Sequence, residues 1–512
     1  MLLGADKLKG AIVADLNALS LKSLESVLVE VFRISIGIIT IRRFSAIRNK
    51  MHLISHTDIP YCTNSETLFE RLRDLPNAIW LDSAKPRSLQ GRFDIMSACP
   101  DITIETRDGV SAITDAQSTH KSSDDPFDIA KHYLDELMPI QSAHRGPFYC
   151  GLLGYFAYDL GNHENYTNST VSGPMDMPDM RLGRYLWSLV VNHEACKSTL
   201  FFHPLCSKEI RDQVCQRLQD AGCQYNQSTK SFHLLEDFSK SISKQQYIES
   251  IKRIKEYITA GDCYQTNYTQ HLSAPYQGDL WQAYKSLRET CPAPYSVYWQ
   301  WGSNAILSIS PERFMQTYME GEQIRVETKP IKGTVVRGKT VKEDQENAIR
   351  LVNSPKDRAE NLMIVDLLRN DIGKSCIPGS IQVNKLFDLE SFPNVHHLVS
   401  TINGTLRSDC TPIDLLKGCF PGGSITGAPK VRAMEIIAEL EPLKRSAYCG
   451  AIGYICASNQ MDTNIAIRTL IADKTHLHCW GGGGIVADSD PEKEYEESMH
   501  KIRLILETLE QL

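Results

Sequence analysis

The chain has 512 residues, 42% hydrophobic and 23% charged, with a formal net charge of −7. This is a globular composition with length for an extensive core, and without a basic surplus it excludes a protein built to track nucleic acid. The 15 cysteines, an odd number without a C-x-x-C pair, exclude a disulfide framework and a structural zinc site and point to reduced thiols in the cytoplasm.

Residues 1–50 read as an amphipathic helix, an apolar run and a basic patch around Arg42, Arg43 and Arg48. The run Val27–Ile41 is broken by Glu30 and Arg33, so it is too short to span a membrane and too charged for a secretion signal. A weakly attached extension is expected here. From Trp80 to His203 the text is mainly β: AIWLDS, then GLLGYFAYDLG, then YLWSLVV and STLFFH around the polar turn NHEACK, a hairpin. Polar, irregular text from Gly222 to Lys240 divides an N-terminal region, 51–240, from a C-terminal one, 241–512.

The second region opens on a helix with Tyr247, Ile251, Ile254 and Ile258 on one face and Gly261 at its end. Strands YSVYWQW and AILSIS follow, then TKPIKGT and a charged helix. In SPKDRAENLMIVDLLRNDIG, Ser354 is placed to cap, Pro355 suits the first helical position, and Leu362, Val365 and Leu368 mark the expected buried face. CGAIGYICA, NIAIRTLIA and THLHCWGGGGIV read as strands, and a last helix from Ser489–Pro491 should bury Ile502, Ile505 and Leu506. Strands grouped apart from helices predict an α+β fold.

Few residues stand out chemically. Lys332 lies between Pro330, which fixes φ, and Gly333, which admits a ligand. Alone, it reads as an ordinary solvated lysine at the end of a strand. Glu494 and Glu497, at i and i+3 in the last helix, share a face, and Glu360 lies beside an apolar stripe. If the three meet, their oxygens suit a hard cation such as Mg²⁺; otherwise they are acidic surface. FPGGSITGAPK, ahead of a helix, can offer N–H groups to an anion but lacks the P-loop ending. Arg468, in apolar text, needs an anionic partner if buried, either an internal acid or a substrate carboxylate. Of His396 and His397, one should point inward.

PIKGT, SPKDRAENLMIVDLLRND, HHLVSTI, FPGGSITGAPKVRAMEIIAELEP, CGAIGY, IRTL and GGGIVADSDPEKEYEE occur in one order. Together they resemble the chorismate-binding enzymes, from about Met51 to the C-terminus and most densely after Tyr264. The resemblance implies the anthranilate-synthase-like sandwich of two packed antiparallel β-sheets with outer helices and the active site in the cleft between. Lys332 resembles the branch that makes aminodeoxychorismate for para-aminobenzoate and folate, since anthranilate synthases carry alanine there. Gln265 stands where the water-using isochorismate and salicylate synthases carry a basic lysine.

By the same resemblance, Lys332 is the covalent nucleophile and Glu312 the general acid. Glu360, Glu494 and Glu497 hold Mg²⁺. Gly333, Thr334, Tyr448, Arg468, Gly482, Gly483 and Gly484 contact substrate, with His397, Ser424 and Lys501 as further contacts. A separate glutamine amidotransferase would supply ammonia as partner in a heterodimer. Ser83, Gly91, Arg92, Phe93, Pro294, Tyr295 and Ser296 stand where related enzymes bind tryptophan; without that ligand they are packing residues of the sheets. The alternatives are an anthranilate synthase large subunit and a non-catalytic tryptophan-binding relative.

Overall fold

The structure, a computed structural model, describes residues 51–88, 91–162, 173–219, 230–392 and 395–512. The expected extension 1–50 and residues 222–229 of the polar stretch lie outside the described residues. His52–Leu512 form one compact unit.

Two large sheets make the frame, of 14 and 12 strands. Every described strand pair is antiparallel except His52–Ile54 with Ile140–Ser142. Strands from both sides of residue 240 share each sheet. In the larger, Ile79–Asp82 pairs with Tyr295–Trp301; in the smaller, Gly151–Phe156 pairs with Ala451–Cys456. The change in sequence character near Gly222–Lys240 is therefore not a break in packing. The predicted hairpin is present, Trp187–Asn192 against Lys197–Phe202. One continuous core holds Trp80, Trp187, Trp299 and Trp480. Within it Tyr155 of the smaller sheet stands 6.2 Å, ring to ring, from Trp299 of the larger. Such aromatic contacts add to the burial that holds two sheets together.

The helices follow from their caps. Lys244–Ala260 starts on a capping box of Ser243 and Gln246, ends on Gly261 at φ +86°, and buries Tyr247, Ile251 and Ile254. Pro355–Gly373 is capped by Ser354, whose side chain accepts the Asp357 N–H. Its inner stripe runs through Asn361, Ile364, Val365, Leu368 and Ile372. Leu362, expected inside, is 46% exposed: it lies one residue past Asn361, some 100° around the helix from the stripe. Pro491–Glu510 buries Ile502, Ile505 and Leu506 as predicted. The run NIAIRTLIA is not one strand. Met461–Ile465 ends in the smaller sheet and Thr469–Ala472 begins in the larger, so the chain crosses between sheets and Arg468 sits in the crossing at φ +51°.

A buried ion pair ties the helix Leu280–Thr290 to the strand Ile79–Asp82. Arg288 Nε donates to Asp82 at 2.6 Å, its Nη2 donates to Lys85 O at 2.6 Å, and Tyr284 Oη donates to Asp82 at 3.0 Å. Arg288→Met leaves a buried carboxylate uncompensated and should cost about 3–5 kcal/mol, read as a lowered urea midpoint with unchanged slope.

Candidate active site

Lys332 lies on the strand Ile331–Val336, at the end of the smaller sheet. Its pairing with Val395–Thr405 shifts register between Ile331 and Thr334, and Gly333 within the shift has φ +90°. The irregularity re-aims the lysine, a use strands make of bulges, and only glycine takes this backbone without strain. Lys332 Nζ donates to Ser424 O at 3.2 Å. Ser424 is buried in the short turn Gly423–Ile425, the middle of the glycine-rich loop. Its hydroxyl lies on the Glu312 side and favours that carboxylate, so one residue bears on both groups.

Glu312 is buried just past the strand Asn304–Ser310. Burial raises its pKa to about 7, against the opposing pull of Lys332, the Ser424 hydroxyl, the Ile331 N–H and Lys501. Lys332 is shifted the other way: burial lowers its pKa, Lys501 adds to the lowering, and Glu312, Glu360 and Glu497 oppose it. Desolvation thus disfavours the charged form of both groups, raising the acid and lowering the amine.

Thr334 Oγ1 shares a hydrogen bond with His397 Nδ1 at 2.8 Å. Burial, with Arg468 and His396 nearby, drops the His397 pKa to about 3, so the ring stays neutral. Both adjacent histidines are buried, but His396 is taken up by Ser391 and Asp344. The Arg468 guanidinium has no acidic partner among the described residues, and burial lowers its pKa. No described acid answers its charge, and a carboxylate is the kind of group its fork would suit. The buried Tyr448 ring stacks on Trp480, 5.6 Å apart and 9° from parallel. Gly482, Gly483 and Gly484 lie in the strand His476–Ile485. A Cβ at Gly483 would stand 3.1 Å from Lys501 Nζ and 3.7 Å from Glu494, so glycine keeps the floor open there.

The carboxylates gather across this floor. Lys356 Nζ stands 3.8 Å from Glu360 and 3.9 Å from Glu494. Lys501 Nζ is 2.8 Å from Glu497 and donates to Gly482 O at 3.1 Å. Burial raises the pKa of Glu360 and of Glu494, whereas Lys501 lowers that of Glu497. Among the described residues no three His, Cys, Asp or Glu side chains converge closely enough to ligate an ion as they stand. The donor set nevertheless fits a hard cation: it is all oxygen, and a lysine ammonium already occupies the space two of its members share.

Two residues of this site carry little sequence signal of their own. Gln265 is fully buried against Gly484 with both polar side-chain atoms unpartnered, and Lys356 reads as an ordinary helix lysine. The spacing of Lys356 four residues before Glu360 was the available clue.

The residues aligned with a tryptophan site divide. Gly91 packs on Ser83, whose hydroxyl and N–H both donate to Asp94, at 2.6 and 2.7 Å. Ser296 lies opposite Asp82, beside Ser83. Arg92 covers the Phe93 ring and pairs with Glu194, and the Tyr295 ring, after Pro294, lies under Arg313.

Ser424→Ala removes a hydrogen bond that favours the Glu312 carboxylate while keeping the backbone acceptor of Lys332. The Glu312 pKa should rise above about 7, read as a displacement to higher pH of the alkaline limb of the rate profile.

The chain matches the model of the chorismate binding enzyme family over residues 77–507. It is 42% identical over 448 residues to aminodeoxychorismate synthase component 1 of Escherichia coli, covering 87% of this chain and 96% of that one. Against anthranilate synthase component 1 of Synechocystis it is 34% identical over 467 residues, 85% of this chain and 91% of the other. The fold superposes on anthranilate synthase component I from Streptococcus pneumoniae with a TM-score of 0.70 at 31% identity, covering 82% and 93% of the two chains. With the site geometry in place and these matches spanning most of its length, the chain belongs to the chorismate-binding enzymes.

Proposed function

We propose that this chain is the chorismate-aminating component of an aminodeoxychorismate synthase. It exchanges the C4 hydroxyl of chorismate for an amino group, on the way to para-aminobenzoate and folate, in the cytoplasm. The observation that carries the reading is the pair Lys332 and Glu312, joined through Ser424 and both driven toward neutrality.

Hydroxide leaves poorly, so Glu312 gives its proton to the departing C4 hydroxyl, which leaves as water. The Lys332 amine bonds to C2 as the C4–O bond breaks. Ammonia then bonds to C4, the Lys332–C2 bond breaks, and the surplus ammonia proton returns to Glu312. Two displacements restore the ring's double bonds and keep the enolpyruvyl group. Arg468 grips the enolpyruvyl carboxylate, with Tyr448, Thr334, His397 and the Gly482–Gly484 backbone shaping the bed around the ring. Glu360, Glu494 and Glu497 would hold Mg²⁺, whose charge when bound offsets the ring carboxylate. Gln265, a neutral amide, cannot deprotonate water, which supports ammonia as the attacking group. Ammonia comes from a separate glutamine amidotransferase subunit, consistent with relatives named as component 1. Bound tryptophan near Ser83 and Ser296 belongs to the same reading.

The purified chain with chorismate, Mg²⁺ and ammonium alone should form a non-fluorescent product that keeps its enolpyruvyl group; untouched chorismate, or fluorescent anthranilate, would refute the assignment. The pH profile follows from the two groups. Glu312 must carry its proton, so the rate of the first displacement is full below about 7 and falls as pH rises through it. Lys332 must be uncharged, so the rate falls again on the acid side, below its lowered pKa. Glu312→Gln should lose the alkaline limb and slow the step by about 10²–10⁴-fold, measured in single turnover without ammonia.

A further inference from the structure

Lys356 is oddly placed for an ordinary helix lysine. It is the second residue of the helix Pro355–Gly373, where the helix dipole disfavours a cation. Its ammonium does not simply answer Glu360 one turn on. It also reaches Glu494, on the helix Pro491–Glu510, and stands 3.8 and 3.9 Å from the two carboxylates. Those distances are too long for hydrogen bonds, so charge alone holds the contact. The two carboxylates are largely buried while Lys356 is 52% exposed, so the lysine can swing out to water without moving them. A second lysine on this floor, Lys501, is held more firmly, hydrogen-bonded to Gly482 O and paired with Glu497 at 2.8 Å.

We propose that Lys356 is a built-in counter-cation for the carboxylate cluster: its ammonium bridges Glu360 and Glu494 in the metal-free chain, and a divalent cation binds only by displacing it. This rests on the reading of Glu360, Glu494 and Glu497 as a magnesium site. The lysine keeps two like charges from splaying apart before loading, and it weakens the metal's apparent affinity because part of the binding energy goes to its removal. Both effects belong to the same side chain, and they part company on substitution.

The test is calorimetric titration of Mg²⁺ into the full chain at fixed ionic strength, without chorismate. Lys356→Met should bind Mg²⁺ about two- to five-fold tighter, the modest effect of a half-exposed pair. In EDTA it should melt below the parent chain, and Mg²⁺ should raise its melting point by more than it raises the parent's. Lys356→Arg keeps the charge and adds a planar fork suited to carboxylates, so it should bind Mg²⁺ no tighter than the parent. Lys493→Met removes an exposed charge beside Glu494 and should change affinity less than Lys356→Met does. Equal affinities in the parent and Lys356→Met, or an equal gain in Lys493→Met, overturn the proposal and leave the magnesium site standing. Absence of Mg²⁺ binding in every chain overturns the site and the proposal together.

Discussion

Everything in the site depends on keeping an acid and an amine side by side without letting them settle as an ion pair. In water a carboxyl and an amine exchange a proton and stop there. Here burial opposes charge on both: it lifts Glu312 to about 7 and lowers Lys332. Each group's attraction for the other works against that, so the balance rests on how much solvent is kept out. Ser424 mediates, with a hydroxyl on Glu312 and a carbonyl on Lys332. The carbonyl can accept from the amine in either protonation state, so it positions the Lys332 side chain without demanding that it be charged.

The fold holds that arrangement from beneath. The turn bearing Ser424 is pinned by Arg445, which donates to Ile425 O at 2.9 Å and to Asn267 O at 3.0 Å. Arg445 is itself paired with Glu441, and Glu441 accepts the Thr269 N–H at 2.8 Å. One buried ion pair therefore joins the glycine-rich turn, the strand Gln265–Gln277 and the end of the helix Lys430–Leu440. The crossing at Ala466–Arg468 does similar work, placing a charged side chain where the chain passes between sheets. The left-handed backbone of Arg468 is an unusual conformation for a side chain of that size.

What was legible beforehand follows physical range. Local rules found the ends of helices: Ser354 and Gly261 cap as their chemistry dictates, and the last helix buries the three residues its spacing selects. The hairpin at 187–202 was equally local. Strand order was not legible, because pairings such as Ile79–Asp82 with Tyr295–Trp301 join segments some 200 residues apart. Two local readings failed for definite reasons. Hydrophobicity places Leu362 inside although the stripe passes through Asn361, and NIAIRTLIA reads as a continuous strand through Arg468 because nothing in it marks a change of sheet. The pair Lys332 and Glu312 is legible only through the company its motifs keep, since Lys332 by itself reads as surface. The counter-cation at Lys356 became visible only when two helices distant in sequence were seen to share it.

The account stands or falls on a bond to one side chain, and intact mass spectrometry measures it directly after the chain is held with chorismate and Mg²⁺ and no ammonia. It predicts a species heavier by chorismate less water, mapped to the peptide bearing Lys332 and discharged when ammonium is added. A chain that aminates chorismate at full rate with Lys332 replaced by alanine, or an adduct on any other residue, would contradict it.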